Sequence, residues 1–125
     1  MQPSWMRPFH SDGIEASPNV DEVLADIEDA AAAAAELVGR GKTAWDGDQL
    51  LRLAGEAIIG RIADAAGRLP SKVKEAIGGV PWDDIRDIRI LVDHIYHRVD
   101  YEILWSTLTQ DVPQLRGKLS DYRQR

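Results

Sequence analysis

One stretch of this sequence brings together side chains that transfer protons and bind anions. Arg89 is followed after four residues by His94, and Tyr96 and His97 come within the next three positions. A histidine exchanges protons near neutral pH because its pKa lies close to the working pH. An arginine stays charged, and its forked guanidinium can hold an anion at two points. The stretch is therefore the first candidate for a chemical site.

Two other motifs offer different chemistry, and both fail on their context. His94 and His97 lie one helical turn apart and could bind a metal ion, but the nearby carboxylate of Asp93 is adjacent on the helix rather than facing them. Gly41-Lys42-Thr43 resembles the end of a phosphate-binding P-loop, whose first glycine would fall at position 36, which is Glu36. A predicted helix, not a strand, also precedes it. We expect neither a metal site nor a P-loop.

The reactive side chains lie on a predicted helix over residues 85–99. At about 100° per residue, Arg89 and Tyr96 fall at about 40° and 20°, whereas His94 and His97 fall at about 180° and 120°. Arg89 and His94 are thus about 140° apart and cannot converge within one straight helix. The core face of this helix contains Ile85, Ile88, Leu91, Val92, Ile95 and Val99.

Two copies of this helix, packed across a two-fold axis, could bring Arg89 and His94 together, because a symmetric interface presents the same surface from both sides. Ile90 favours this arrangement, since it is an apolar side chain on an otherwise polar face.

A simpler interpretation needs no site at all. Arg89 could pair with Asp93 one turn later, and His94 and His97 could face the solvent. Tyr96 would then be an aromatic residue at the edge of the core with its hydroxyl in water. Periodicity alone does not separate these two interpretations.

The rest of the chain predicts further helices and no strands. Ser17-Pro18 is suited to capping an amphipathic helix that ends at Gly39 and has apolar residues at 20, 23/24, 27, 30/31, 34 and 37/38. A second helix begins near Asp46 or Asp48 and continues to Leu69. Within it, we expect Leu50 on the buried side and Gly55 and Gly60 at close helix contacts. Later helices are predicted over 71–77, from Asp100 to Leu108, and from Asp111 to Tyr122.

The predicted fold is therefore all-α, an antiparallel bundle of four or five helices. We expect a single helical domain over residues 17–125, preceded by an arm over residues 1–16 with Trp5 and Phe9.

Composition narrows the possible functions of the chain. It has 125 residues, no cysteine and a net charge of −6, which excludes disulfides and argues against a broad basic surface that coats nucleic acid. Residues 1–85 contain 8 basic and 15 acidic side chains, whereas residues 86–125 contain 7 and 6. No stretch has the pattern of a signal peptide or a membrane span, so we expect a cytoplasmic protein without membrane contact.

The stretch from Arg89 to Tyr96, with its Arg-x4-His-x-Tyr spacing, resembles the signature of HepT-like toxins in the HEPN superfamily of helical ribonucleases. The flanking residues agree with this: Val80-Pro81-Trp82 before it, 98–105 after it, and 111–115 near the end. The resemblance covers roughly residues 18–120 and is strongest between 80 and 116.

This resemblance implies a homodimeric endoribonuclease that cleaves single-stranded RNA without a metal ion or other cofactor. It further implies a toxin that a small nucleotidyltransferase, its antitoxin, neutralises in the cytoplasm. Arg89 and His94 match the catalytic pair of the family, and Tyr96 matches the tyrosine to which the antitoxin can add AMP. The expected supporting contacts to RNA come from Arg86, His97 and Arg98.

Three positions depart from the family pattern. Ile90 replaces a usual Asn or Asp, Asp93 stands where an apolar residue is common, and Gly60-Arg61 occupies the expected place of a Gly-Glu pair. The alternative is therefore a helical dimer with weak or no catalysis that serves as a binding partner of the nucleotidyltransferase.

Overall fold

A computed structural model describes residues 19–87 and 100–125, and every secondary-structure element in these two ranges is helical. The all-α prediction is confirmed. The helices are α1 (Val20–Val38), α2 (Lys42–Gly47), α3 (Gln49–Gly67), α4 (Ser71–Ile77), α5 (82–87), α6 (Tyr101–Ser106) and α7 (Val112–Arg123). The arm predicted for residues 1–16 lies outside the described residues.

The long helix α1 packs antiparallel to both α3 and α7. Near its start, Asp26 accepts a 3.0 Å hydrogen bond from Arg68, which directly follows α3. Glu28 forms a 2.9 Å ion pair with Arg123, the last residue of α7. The ends of both partner helices therefore lie against the first half of α1, as an antiparallel bundle requires.

The core is centred on the apolar face that periodicity predicts for α1. Small side chains let α3 and α7 approach this helix closely, because alanine adds little bulk and has the highest helix propensity. The buried residues of α1 are Val23, Leu24, Ile27, Ala30, Ala31, Ala34 and Leu37. The predicted amphipathic first helix is thus confirmed, with Val20 and Val38 at its two ends only partly buried.

The start of α1 differs from the prediction. Its N-cap is Asn19, whose side chain accepts hydrogen bonds from the backbone N–H groups of Asp21 and Glu22. Ser17 was the expected cap and lies outside the described residues. An asparagine caps a helix as well as a serine, and Asn19 satisfies two N–H groups that the first turn leaves without intrahelical partners.

Sequence periodicity misses α2, a six-residue helix that carries the fully buried Trp45. The indole Nε1–H of Trp45 donates to the backbone carbonyl of Tyr101 at 3.3 Å. Its ring stacks at a tilt on Trp105, with 5.3 Å between centroids, and meets Tyr101 edge to face at 6.2 Å. One side chain thus joins α2 to α6.

Trp45 also explains one of the two glycines inside α3. A Cβ atom at Gly55 would lie 2.7 Å from two ring carbons of Trp45, so the helix needs glycine here for close packing, as predicted. The same expectation is wrong for Gly60, where no atom within the described ranges comes within 4 Å of a Cβ. Leu50, predicted to be buried, is 75% exposed because it lies on the side of α3 opposite to the core.

The last two predicted helices are joined into one helical rod. Where a break was expected between Leu108 and Asp111, the chain forms a π-helical turn over Thr107–Asp111, and the N–H of Val112 donates to the carbonyl of Thr107. The wider turn accommodates Pro113, which has no N–H to donate to the preceding turn, near the start of α7. The hydroxyls of Thr107 and Thr109 donate to carbonyls of the preceding turn at 3.0 and 2.9 Å.

We expect Gly55→Ala to lower the free energy of unfolding by about 1–3 kcal/mol, because the added methyl group overpacks the Trp45 ring. The matched control is Gly117→Ala in α7, where no atom of the described residues lies within 4 Å of the position of a Cβ atom. That change should raise stability by about 0.5–1 kcal/mol through helix propensity. Urea unfolding measures the free energy of unfolding of both variants, and an equal change in the two variants would contradict the packing role of Gly55.

Candidate active site

Most of the predicted site lies in residues 88–99, outside the described part of the chain. This holds for Arg89, His94, Tyr96 and His97, and also for Arg98. The structure therefore leaves their roles as predictions. It does describe the helix that leads into this segment, the residues that follow it, and one predicted RNA contact, Arg86.

Arg86 is an exposed side chain of α5, and its ion pairs with other described residues are loose. Its guanidinium lies 3.8 Å from Asp83 Oδ1 and 3.6 Å from Asp87 Oδ1. Exposed pairs at such distances contribute little to stability, so the guanidinium can exchange them for a phosphate at small cost. Arg86 is thus free to serve as the RNA contact that the sequence predicts.

The chain enters segment 88–99 from a fixed position. The indole N–H of Trp82 donates to the carbonyl of Lys74 at 3.2 Å, and the ammonium of Lys74 lies 6.0 Å from the centroid of the same ring. Trp82 and Ile85 pack, partly buried, against the core. These contacts hold the first turns of α5 against α4 and the bundle.

The turn before α5 depends on two glycines. Gly78 and Gly79 have φ angles of +65° and +71°, a backbone region that other residues rarely adopt. The side chain of Lys118 covers Gly79, with its Nζ 3.1 Å from the position of a Cβ atom. This turn and α7 therefore lie close together and set the direction in which α5 starts.

The chain leaves the segment through a capped helix start. Asp100 is the first described residue after position 99, and its Oδ1 accepts hydrogen bonds from the N–H groups of Glu102 and Ile103 at 3.0 and 3.2 Å. The N-cap predicted for Asp100 is confirmed. The described residues on either side of the segment expected to carry the catalytic pair thus pack on the bundle or cap one of its helices.

Beside this second anchor lies a cluster of Arg52, Glu56 and Tyr101. The Tyr101 hydroxyl lies 3.5 Å from Glu56 Oε1, and the Arg52 guanidinium lies 5.3 Å from the centroid of the Tyr101 ring. Arg52 also donates to the carbonyls of Trp45 and Asp46 at 2.9 and 2.7 Å. Burial, followed by the charge of Glu56, raises the pKa of Tyr101, while Arg52 opposes the shift.

Glu56 is a residue that the sequence analysis did not single out. It follows Gly55, so α3 does contain a Gly-Glu pair, five residues before Gly60-Arg61, where the pair was expected. The signal that could have identified it is an acid between apolar residues of a helix, directly after a buried glycine. The structure gives both members of the pair a contact next to the end of segment 88–99.

A second charged cluster ties α2 to α6. The ammonium of Lys42 pairs with Asp46 and Glu102, each at 2.8 Å. The hydrogen bond to Asp46 contributes most to raising the pKa of Lys42, followed by the one to Glu102. Lys42, from the Gly-Lys-Thr sequence that mimics a P-loop, therefore has a structural role here.

The described residues support the fold and contribute charged side chains, but they form no candidate metal site. Among residues 19–87 and 100–125, no three His, Cys, Asp or Glu side chains come together as a metal site would require. No helix in these same ranges is long and apolar enough to cross a membrane. The side chains suited to acid–base chemistry on a phosphate remain those predicted for segment 88–99.

Comparison with known proteins gives the family of the chain. The model of the family described as "Ribonuclease HepT-like" matches residues 27–121, a range that includes segment 88–99. No solved structure matches the chain.

Individual relatives cover the chain in part. The "Probable ribonuclease HepT" of Thermococcus cleftensis is 32% identical over 62 residues, which are 50% of this chain and 56% of that protein. The "Putative RNase TTE0752" of Caldanaerobacter subterraneus subsp. tengcongensis is 31% identical over 64 residues, 51% of this chain and 57% of the relative. The chain thus spans little more than half the length of these relatives.

We expect Tyr101 to titrate above its usual pKa of 10.0 in the folded protein. As the pH rises, the Tyr101 hydroxyl therefore loses its proton in the unfolded chain before it does so in the folded protein. The stability that neutral Tyr101 contributes is present below about pH 10 and is lost as the pH rises further. The phenolate absorbance of the parent protein minus that of Tyr101→Phe isolates this group. The same difference recorded in urea is the control, and a folded midpoint at or below the urea midpoint would contradict the shift.

Proposed function

Because the chain belongs to the family of HepT-like ribonucleases, we propose that it is the toxin of a type II toxin–antitoxin system and cleaves single-stranded RNA. The supporting observation is that the family match over residues 27–121 contains the Arg-x4-His-x-Tyr motif from Arg89 to Tyr96. The two relatives described above carry ribonuclease names. The protein acts in the cytoplasm, where cellular RNA is available.

His94 and Arg89 divide the chemistry of cleavage. His94 takes the proton from a ribose 2′-hydroxyl, and the 2′-oxygen attacks the adjacent phosphorus. The new P–O2′ bond forms while the bond from phosphorus to the 5′-oxygen breaks, and that leaving oxygen receives a proton from a water molecule, whose lost proton the protonated His94 then replaces. Arg89 holds the phosphate and stabilises the charge that builds on it. The products end in a 2′,3′-cyclic phosphate and a 5′-hydroxyl, and no metal ion takes part.

Single-stranded RNA is the suitable substrate because its flexible backbone lets the 2′-hydroxyl align with the phosphate. Arg86, His97 and Arg98 contact the RNA beside the scissile bond. The net charge of −6 limits the number of phosphate contacts, so binding depends on this locally cationic segment rather than on the whole surface.

The active form is a homodimer. In a single straight helix Arg89 and His94 point about 140° apart, so one phosphate cannot reach both. A two-fold axis beside this helix places Arg89 of one copy near His94 of the other.

The antitoxin is a minimal nucleotidyltransferase that binds the dimer and transfers AMP to Tyr96. The modification places a phosphate and a bulky base near Arg89 in the motif, so it neutralises the guanidinium and blocks access for RNA.

A second candidate function rests on Ile90 and Asp93. Ile90 cannot hydrogen-bond a phosphate, and the charge of Asp93 next to His94 repels RNA. A dimer weakened in this way would serve as a binding partner of the nucleotidyltransferase without cutting RNA itself.

We expect the purified protein to cleave single-stranded RNA in EDTA, and His94→Ala to lower the rate by about 10²–10⁴-fold through loss of the general base. His10→Ala is the matched control, because it removes a histidine that lies outside the family match. Denaturing gels and analysis of the product termini provide the readout. Equal cleavage by the parent protein and His94→Ala would overturn the assignment, and absence of cleavage by both would favour the binding partner.

We expect the intact mass to rise by one or more AMP groups after incubation with the nucleotidyltransferase and ATP, and the gain to vanish in Tyr96→Phe. Tyr101→Phe is the control, since it removes a tyrosine whose hydroxyl faces Glu56. A mass gain that persists in Tyr96→Phe would rule out Tyr96 as the acceptor.

A further inference from the structure

Helix α3 presents an apolar stripe to the outside of the chain. Leu50 and Leu53 are 75% and 45% exposed, and they are two of only three large hydrophobic side chains that are exposed in residues 19–87 and 100–125. Ala54 and Ala57 are exposed on the same helix. The spacing i, i+3, i+4, i+7 places all four on one face. We call these four residues the α3 stripe.

The α3 stripe lies near the start of α6, which directly follows the segment expected to carry the catalytic pair. Tyr101 of α6 contacts Arg52 and Glu56 in the first turns of α3, so the starts of α3 and α6 lie side by side. Ile103, the third exposed large apolar residue, is 54% exposed and belongs to this start of α6. A partner that covers the stripe therefore lies next to Asp100.

The order of large and small residues makes the stripe complementary to itself. The two leucines come first and the two alanines follow. When a second α3 lies antiparallel across a two-fold axis, Leu50 faces Ala57 of the second copy, and Leu53 faces Ala54 of the second copy. Each large side chain thus meets a small one, which is the arrangement that closely packed helices require. A parallel pair would instead place leucine on leucine.

We propose that the chain dimerises through this stripe, with α3 of one copy packed antiparallel on α3 of a second copy around an axis between Leu53 and Ala54. The proposal rests in part on the proposed function, whose site is incomplete in one chain. It adds the surface, the register and the residues that meet.

Cysteine cross-linking tests the register, since the chain has no native cysteine. Ala54 lies next to the axis, so the Ala54→Cys variant should form a disulfide-linked dimer on mild oxidation. Ala32→Cys, at an exposed alanine of α1, is the matched control and should stay unlinked. Failure of Ala54→Cys to link, or equal linking of both variants, would overturn the interface.

Light scattering tests the association itself. The parent protein should have twice the 13.9 kDa mass of one chain. Leu50→Glu should be monomeric with an unchanged helical circular dichroism spectrum, because Leu50 is not part of the core. Ala32→Glu should remain dimeric. A monomeric parent protein, or a dimer that survives Leu50→Glu, would contradict the proposal.

RNA cleavage separates this proposal from the proposed function. If the Ala54→Cys variant forms the disulfide-linked dimer but the parent protein cuts no RNA, the interface is supported and the nuclease is overturned. A Leu50→Glu variant that is monomeric and cuts RNA as well as the parent protein supports both the interface and the nuclease, and overturns only a catalytic site shared between copies.

Discussion

The contact between the Trp45 ring and Gly55 is the constraint on which the described structure depends most. The ring is fully buried, and it occupies the space that a side chain at position 55 would fill. Through its indole N–H it also fixes the backbone of Tyr101. One aromatic residue therefore sets the positions of α2, α3 and α6 together. Asp100, the residue that follows segment 88–99, caps α6 at this same junction.

The sequence predicts those parts of the fold in which one helix carries its own signal. The buried face of α1 could be predicted because its apolar residues recur with the helical period. The short helix α2 could not be predicted because six residues are too few to show a helical period. The outward position of Leu50 could not be predicted because periodicity does not distinguish a buried apolar face from an exposed one.

The π-helical turn shows a different limit. Asp111-Val112-Pro113 has the sequence of a helix start, and a helix does begin there, but the chain does not turn away before it. The threonine hydroxyls bond to carbonyls of the preceding turn, a contribution that no propensity scale includes. Of the candidate site, the sequence predicts the motif and the Asp100 cap. It does not predict the Arg52–Glu56–Tyr101 cluster, because these residues meet only after α3 and α6 have packed.

The proposed catalytic pair and the proposed α3 interface both depend on a two-fold axis. A straight helix, as predicted for residues 85–99, would separate Arg89 from His94 by about 140°, so the proposed site needs a second copy. Activity measured in mixtures of two inactive variants tests this directly. Arg89→Ala and His94→Ala dimers are each inactive, but a mixed dimer keeps one site with both side chains if the site is shared between copies. Equal mixing should then restore about a quarter of the parent activity, since half the dimers are mixed and each has one intact site. No recovery after subunit exchange would contradict a shared site.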